Sequence, residues 1–208
     1  MNLFLAAEAK NPLSLEKLRE VVGGFKDKKI AYIPTAANGE RGWECWKEGG
    51  SWKMINTLEA KVSLIILENY GNNSVIKLLE GQDIIWFAGG CPGYLMYWLK
   101  RTEIDKNLPR LLKNEKVWFV GSSAGSMVMG KTLDAAEWDF TDAEIGARDM
   151  GALGLVNFDI FPHYEEDLLT DIRKNHKRNK LYLLKNGEEI IVRNGKVEVV
   201  GEERILIK

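Results

Sequence analysis

The chain is poor in the residues that stapling, metal binding and acid–base chemistry draw on. It has two cysteines, Cys45 and Cys91, and two histidines, His163 and His176, in 208 residues. Two cysteines build no disulfide framework, and these two lack metal-ligand spacing; a reducing, cytoplasmic setting is the simplest reading. No apolar run approaches the roughly 20 residues of a membrane span. Nor is there an excess of either charge: 29 Lys and Arg stand against 30 Asp and Glu, for a net charge of −1. No global field therefore favours nucleic acid or an acidic membrane as partner. The first residues, Met1-Asn2-Leu3-Phe4-Leu5, lack a basic leader and read as a strand rather than a signal peptide. No repeat, low-complexity tract or linker interrupts the sequence, so 1–208 reads as a single domain. Hydrophobic residues make up 45% and charged residues 28%, an ordinary globular mix with apolar material for a sizeable core.

Short apolar runs alternate with helical patterns through the first 130 residues. Strands are expected at 3–7, 29–34, 63–67, 83–88 and 116–120. The helix between the first two has Ser14 as its expected N-cap and ends at Gly23-Gly24. Residues 41–61 are mostly helical in pattern, with a break at Gly49-Gly50, and further helices are expected at 73–79, 94–100 and 104–114. Continuous apolar strands alternating with helices are the signature of a parallel sheet covered on both faces. Ligands in such sheets bind beyond the carboxyl ends of strands, where Thr35, Gly90 and Ser123 all fall. The small residues Thr35-Ala36-Ala37-Asn38 read as a loop that admits a ligand. Residues 131–152 are polar and irregular, long enough to be functional. A strand ending at Pro162-His163 and a helix over about 165–174 follow. The remainder reads as a meander of strands with hairpin turns at Asn186-Gly187 and Asn194-Gly195.

The sequence with most chemical content is Gly121-Ser122-Ser123-Ala124-Gly125, which follows the run Val117-Trp118-Phe119-Val120 and precedes a helix-like Met/Val run. It matches G-x-S-x-G in the strand–turn–helix context that a nucleophile elbow needs. The chain doubles back so sharply there that only glycine fits two residues to either side of Ser123. The helix that follows aims free N–H groups at the place where an oxyanion would form.

A serine nucleophile needs a base. His176 lies within Arg173-Lys174-Asn175-His176-Lys177-Arg178, a cationic run that reads as a solvated face. His163, at a strand end where the other loops converge, is the stronger candidate. The order Ser-then-His matches α/β-hydrolases, yet 40 residues between the two leave little room for that fold's intervening elements. Gly89-Gly90-Cys91-Pro92-Gly93 fits G-x-C-x-G and offers Cys91 as a rival nucleophile. The residue after a nucleophile should donate its backbone N–H to the oxyanion, and Pro92 has none; Ala124, after Ser123, does. The glycines at 89 and 90 fit better as a bend that aims a backbone N–H into the cleft.

Four segments in this order, Ala31-Tyr32-Ile33-Pro34-Thr35-Ala36, Trp86-Phe87-Ala88-Gly89-Gly90, Gly121-Ser122-Ser123-Ala124-Gly125-Ser126 and Phe161-Pro162-His163-Tyr164, carry a resemblance over nearly the whole chain. It resembles the peptidase E family of α-aspartyl dipeptidases and the related cyanophycinases. The resemblance implies a three-layer α/β sandwich with a mainly parallel central sheet, glutamine-amidotransferase-like, with C-terminal β-hairpins added. It implies Ser123 as nucleophile, His163 as base, and the backbone N–H groups of Gly90 and Ala124 as the oxyanion hole, with no metal or organic cofactor. The family's acid stands about midway between Ser and His. Asp139 fits that placement best and Glu137 next, with Asp134, Asp142 and Glu144 as further candidates.

Two departures bear on substrate. The family's Gly-Gly-Asn is Gly89-Gly90-Cys91 here, and its Gly- and Arg-bearing loop after the histidine is replaced by Glu165-Glu166-Asp167-Leu168-Leu169. Arg173, Lys174, Lys177, Arg178 and Arg148 are the available cations, none clearly at the family arginine's position. The expectation is a serine exopeptidase acting on short peptides through an acyl-enzyme, with a modest preference for an N-terminal Asp, as monomer or homodimer. The rivals are a non-catalytic amidotransferase-like module that binds a small molecule, and an esterase or acyltransferase using the same serine.

Overall fold

The computed structural model describes residues 1–138 and 143–208, and of Arg41, Asn72 and Asn73 the backbone only. Strand β1 (Asn2–Ala6) leads into helix α1 (Pro12–Val22), then β2 (Lys29–Ile33), α2 (Thr35–Arg41), α3 (Gly50–Ile55) and β3 (Lys61–Leu64). Helix α4 (Ile76–Leu79), β4 (Ile84–Phe87), α5 (Pro92–Arg101), α6 (Ile104–Leu111), β5 (Trp118–Ser122) and α7 (Ala124–Met127) follow. The last third holds α8 (Ala147–Met150), β6 (Asp159–Phe161), α9 (Leu169–Asn175), β7 (Lys180–Leu183), β8 (Glu189–Arg193), β9 (Lys196–Val200) and β10 (Ile205–Ile207).

Among the described residues, seven strands form one sheet in the order β3-β2-β4-β5-β1-β8-β9. The first five are mutually parallel, and β8 and β9 add antiparallel at one edge. The period-2 alternation of each central strand feeds two separate cores. Leu3, Leu5, Ala31, Ile33, Ile85, Phe87 and Phe119 face one side, where α4, α5, α6 and α7 cover them. Phe4, Ala6, Ile30, Tyr32, Ile84, Trp86, Trp118 and Val120 face the other, against Leu18 and Val22 of α1 and Ile55 of α3. Strands buried on both faces explain the continuous apolar runs in the sequence. The architecture is the expected layered α/β sandwich with a mainly parallel sheet.

Several local expectations change. Asn11, not Ser14, caps α1: its side chain accepts from the Leu13 N–H and Pro12 takes the first helical position, where a missing N–H costs nothing. Ser14 is instead buried and donates to Glu189. Residues 35–38 open a helix rather than a ligand loop, and Thr35 is fully buried, donating to Glu68 at 2.8 Å and accepting from the Leu67 N–H. The C-terminal meander is half correct. Asn194-Gly195 closes the β8–β9 hairpin, with Arg193 opposite Lys196. Asn186-Gly187 does not close one: β7 pairs with β6 and β10 in a separate three-stranded sheet, and the turn carries the chain from that sheet to the main one.

Glu189 is 1% exposed and opposite Ala6 of β1. Its Oε2 accepts from Ser14 at 2.6 Å, its Oε1 has no hydrogen-bond partner among the described residues, and burial pushes its carboxyl up to about 7. The unfolded chain gives up this proton near 4.5, so the fold loses stability as pH rises from there to about 7, by roughly 3 kcal/mol at most. Denaturant titrations of wild type and Glu189→Gln at pH 5 and pH 8 will show the wild type losing stability across that interval and the variant losing less. Equal pH dependence in the two proteins excludes Glu189 as the cause.

Candidate active site

The centre of the site is the turn between β5 and α7. Ser123 stands there at φ 49°, ψ −112°, a conformation non-glycine residues avoid, and is held in it by close packing on both sides. A Cβ on Gly121 would lie 2.6 Å from the Gly125 carbonyl oxygen, and one on Gly125 would lie 2.3 Å from the Phe87 carbonyl oxygen. Glycine at both positions is what lets α7 sit directly on the ends of β4 and β5. The Ser123 N–H donates to the Ala6 carbonyl, which ties the turn to β1 as well.

The bend at 89–90 lies beside this serine. A Cβ on Gly89 would come within 3.3 Å of Ser123 Cβ, and Gly90, at φ 134°, leaves no room for one against Ala36. The Cys91 N–H donates to the Ala36 carbonyl, so the bend is pinned just after Gly90. Among the described residues, neither the Gly90 nor the Ala124 N–H donates to a protein acceptor; at the first position of a helix such an N–H has no intrahelical partner.

His163 follows β6 and reaches Ser123: Nε2 to Oγ is 3.0 Å. The imidazole's other nitrogen, Nδ1, lies 2.6 Å from Oδ1 of Asn186. An amide oxygen only accepts, so the proton belongs on Nδ1, and Nε2 is left to accept from the serine hydroxyl. Asn186 is therefore the described residue that orients His163, and it is one that sequence reasoning missed. Its signal was present as Asn186-Gly187, but it read as a hairpin turn. Of the carboxylates considered for that position, Asp139 and Asp142 lie outside the described residues. Asp134 pairs with Arg178, Glu137 with Arg148 at 3.0 Å, and Glu144 accepts from the Gly93 and Tyr94 N–H groups that open α5. These three do not bond to His163.

Ser123, His163 and Gly90 line a cleft of about 870 Å³, shared with Tyr32, Trp46 and Trp52. Cys91 lines it too, but at the entrance to α5 rather than on an elbow. Thr35 does not reach it. His176 is neither in the cleft nor solvated: it is buried, ends α9, and its Nε2 lies 3.0 Å from the Asn179 carbonyl. The cations considered earlier are likewise elsewhere. Arg178 makes two 2.9 Å bonds to Asp134 and Arg148 pairs with Glu137, while Arg173, Lys174 and Lys177 stand off the cleft lining. Lys10 is the one Lys or Arg among the described lining residues, and it is bridged to Glu8 at 3.1 Å. Against it the lining sets Glu8, Glu40, Glu48, Glu144, Glu165 and Asp167. Glu166 is not among the lining residues; hydrogen bonds from Lys185 and Tyr164 hold its carboxyl below the usual range.

An elbow serine with a histidine on its oxygen at the carboxyl ends of a parallel sheet is the site of a serine hydrolase. The model of peptidase family S51 matches residues 3–200, and the chain belongs to this family of serine peptidases. Among similar chains, an uncharacterized peptidase of Listeria monocytogenes is 26% identical over 202 residues, covering 94% of this chain and 96% of its own. An uncharacterized peptidase of Pasteurella multocida is 25% identical over 170 residues, covering 78% and 76%. A crystal structure of a protein from Listeria monocytogenes EGD-e, provisionally described as peptidase E, superposes with a TM-score of 0.78 at 24% identity, covering 96% of this chain and 97% of the other. A peptidase from an acI-B1 actinobacterium superposes at 0.69 and 19% identity, covering 99% and 93%; both show the same fold. No helix among the described residues is long and apolar enough to cross a membrane.

Gly125→Ala tests the packing of the turn. A methyl 2.3 Å from the Phe87 carbonyl cannot be absorbed by a flexible neighbour, so the variant is expected to lose about 2 kcal/mol or more. Thermal unfolding should show Tm lower by roughly 5 °C or more for a chain of this size. A Tm within about a degree of wild type would mean that the turn relaxes freely.

Proposed function

We propose that the chain is a serine exopeptidase that cleaves dipeptides and tripeptides through an acyl-enzyme. Ser123 Oγ attacks the scissile carbonyl as His163 Nε2 takes its proton. The Gly90 and Ala124 N–H groups receive the oxyanion. His163 then passes the proton to the leaving amine, and water attacks the acyl-enzyme by the same route in reverse. Asn186 keeps the imidazole in the required tautomer, and Asp139, the acid expected from the sequence, remains the proposed source of charge support for the imidazolium. The observation that carries this reading is the 3.0 Å contact of Ser123 and His163 at a strained turn. Two cysteines joined in no disulfide fit a cytoplasmic enzyme, with short peptides as its partners and neither nucleic acid nor membrane.

The acidic lining bears on substrate. Glu165 and Asp167, beside His163, suit the free ammonium of a short peptide and oppose a carboxylate at the same place. Lys10, already bridged to Glu8, is a weak anchor for an acidic side chain, because a cation shared with another anion gives little net attraction. The preference for an N-terminal Asp is therefore modest. Comparison of kcat/KM for Asp-, Asn- and Ala-led dipeptides at two salt concentrations will show differences well below about 10³, or roughly 4 kcal/mol. A larger preference for Asp means that a dedicated cation serves the cleft.

Ser123→Ala and His163→Ala each lower turnover by on the order of 10⁴-fold or more while the protein stays folded, because the two residues act as one unit. Cys91→Ser keeps most of the activity. Labelling by a fluorophosphonate, lost in Ser123→Ala, identifies the nucleophile. An active Ser123→Ala with an inactive Cys91→Ser reverses the assignment.

A further inference from the structure

Asn186 is an exposed residue on a two-residue turn between separate sheets, and such a turn has no ladder to hold it. What holds it comes from the end of the chain. Glu188 folds back on the turn, its Oε2 accepting from the Lys185 N–H at 2.8 Å while its own N–H donates to the Lys185 carbonyl at 3.0 Å. The same carboxylate is gripped by Arg204, whose Nη1 lies 2.7 Å from Oε2 and 3.1 Å from Oε1. The Glu202 N–H adds a 3.1 Å bond to Oε1, and the backbone at Gly201 closes on the Glu188 side chain. Both charged side chains are nearly withdrawn from water, 11% exposed for Arg204 and 13% for Glu188, where a bonded pair has rigid geometry.

Arg204 also touches the other side of the catalytic pair. His163 itself stands at φ 56°, a left-handed value that the surroundings must impose. The next residue, Tyr164, is buried, and its ring is covered by the Arg204 guanidinium at 5.6 Å and the Lys185 ammonium at 5.9 Å. The Tyr164 N–H donates to the Leu184 carbonyl and its hydroxyl to Glu166, which Lys185 bridges at 2.9 Å. One guanidinium thus contacts both the residue after His163 and the carboxylate that shapes the Asn186 turn.

We infer that Arg204 is a positioning residue for catalysis: clamped on Glu188 and Tyr164, it holds Asn186 Oδ1 and His163 Nδ1 in hydrogen-bond register. The inference rests on the Ser123–His163 reading for its kinetic consequence, but the clamp itself can be measured without turnover. A shift of about 1 Å in a catalytic partner costs up to roughly 10²-fold in rate, so losing the clamp is expected to cost about tenfold.

The test uses the full chain as wild type, Arg204→Met, Arg204→Lys, Asn186→Ala and Arg204→Met with Asn186→Ala. Arg178→Met serves as a control that breaks a remote ion pair. Two quantities are read: the rate of fluorophosphonate labelling, and the proton resonance of His163 Nδ1–H, assigned by its loss in His163→Gln. Arg204→Met is expected to label about tenfold more slowly, to lose or broaden that resonance, and to add nothing to Asn186→Ala, since residues acting through one contact are not additive. Arg204→Lys, which keeps the charge without the two-pronged grip, falls between, and Arg178→Met matches wild type. Unchanged labelling and resonance in folded Arg204→Met overturn the inference, as do losses that multiply with those of Asn186→Ala. If Arg204→Met does not fold, Arg204→Lys decides: an unchanged resonance there overturns it. A wild type that is never labelled overturns the proposed function, while the resonance still reports whether Arg204 sets the contact.

Discussion

Everything at the cleft depends on how closely a four-residue helix approaches two strand ends. Helix α7 lies against β4 and β5 with backbone meeting backbone at Gly121 and Gly125, and any side chain there would force them apart. That approach leaves Ser123 at a positive φ and turns its hydroxyl toward the cleft. The strain at one residue, of order 1–3 kcal/mol, is offset by the two apolar cores on either side of the sheet. Burial of the surrounding strand residues, Phe87, Phe119 and Val120, is complete.

Around that point the site is assembled from separate parts of the chain. The bend at Gly89-Gly90 comes from the end of β4, His163 from the end of β6 in the smaller sheet, and Asn186, which bonds His163, from the turn joining the two sheets. The relative position of the sheets therefore sets the distance between Ser123 Oγ and His163 Nε2. The C-terminal strands take part in this: β8 extends the main sheet, β10 extends the small one, and the segment between β9 and β10 grips the joining turn through Glu188. A region that looks peripheral in sequence thus packs on the turn that carries Asn186.

The contact that orients His163 and the acidic lining of the cleft are distinct features of the site. Among the described residues, Asn186 Oδ1 is the group on His163 Nδ1, and it carries no charge of its own. The carboxylates of Glu8, Glu40, Glu48, Glu144, Glu165 and Asp167 line the same cleft as Ser123 and His163.

The sequence by itself determined what short-range physics controls. Alternating β-branched strands and helical patterns specified a covered parallel sheet, and glycine spacing around Ser123 specified an elbow, since sterics over five residues suffice for it. The pairing of Ser123 with His163 followed from chemistry, because a serine needs a base and the alternative, His176, sits in a run of cations. Asn11 as the cap of α1 was misread although Pro12 marked it, and Thr35 was placed in a ligand loop because small residues look alike in loops and at helix starts. Tertiary structure alone decided the rest. Asn186-Gly187 has the same local signal as Asn194-Gly195, yet one turn closes a hairpin and the other crosses between sheets, because strand pairing is a long-range choice that turn chemistry does not encode. Whether a carboxylate faces the cleft, caps a helix or grips an arginine depends in the same way on which distant residues fold against it, as Glu144, Glu165 and Glu188 show.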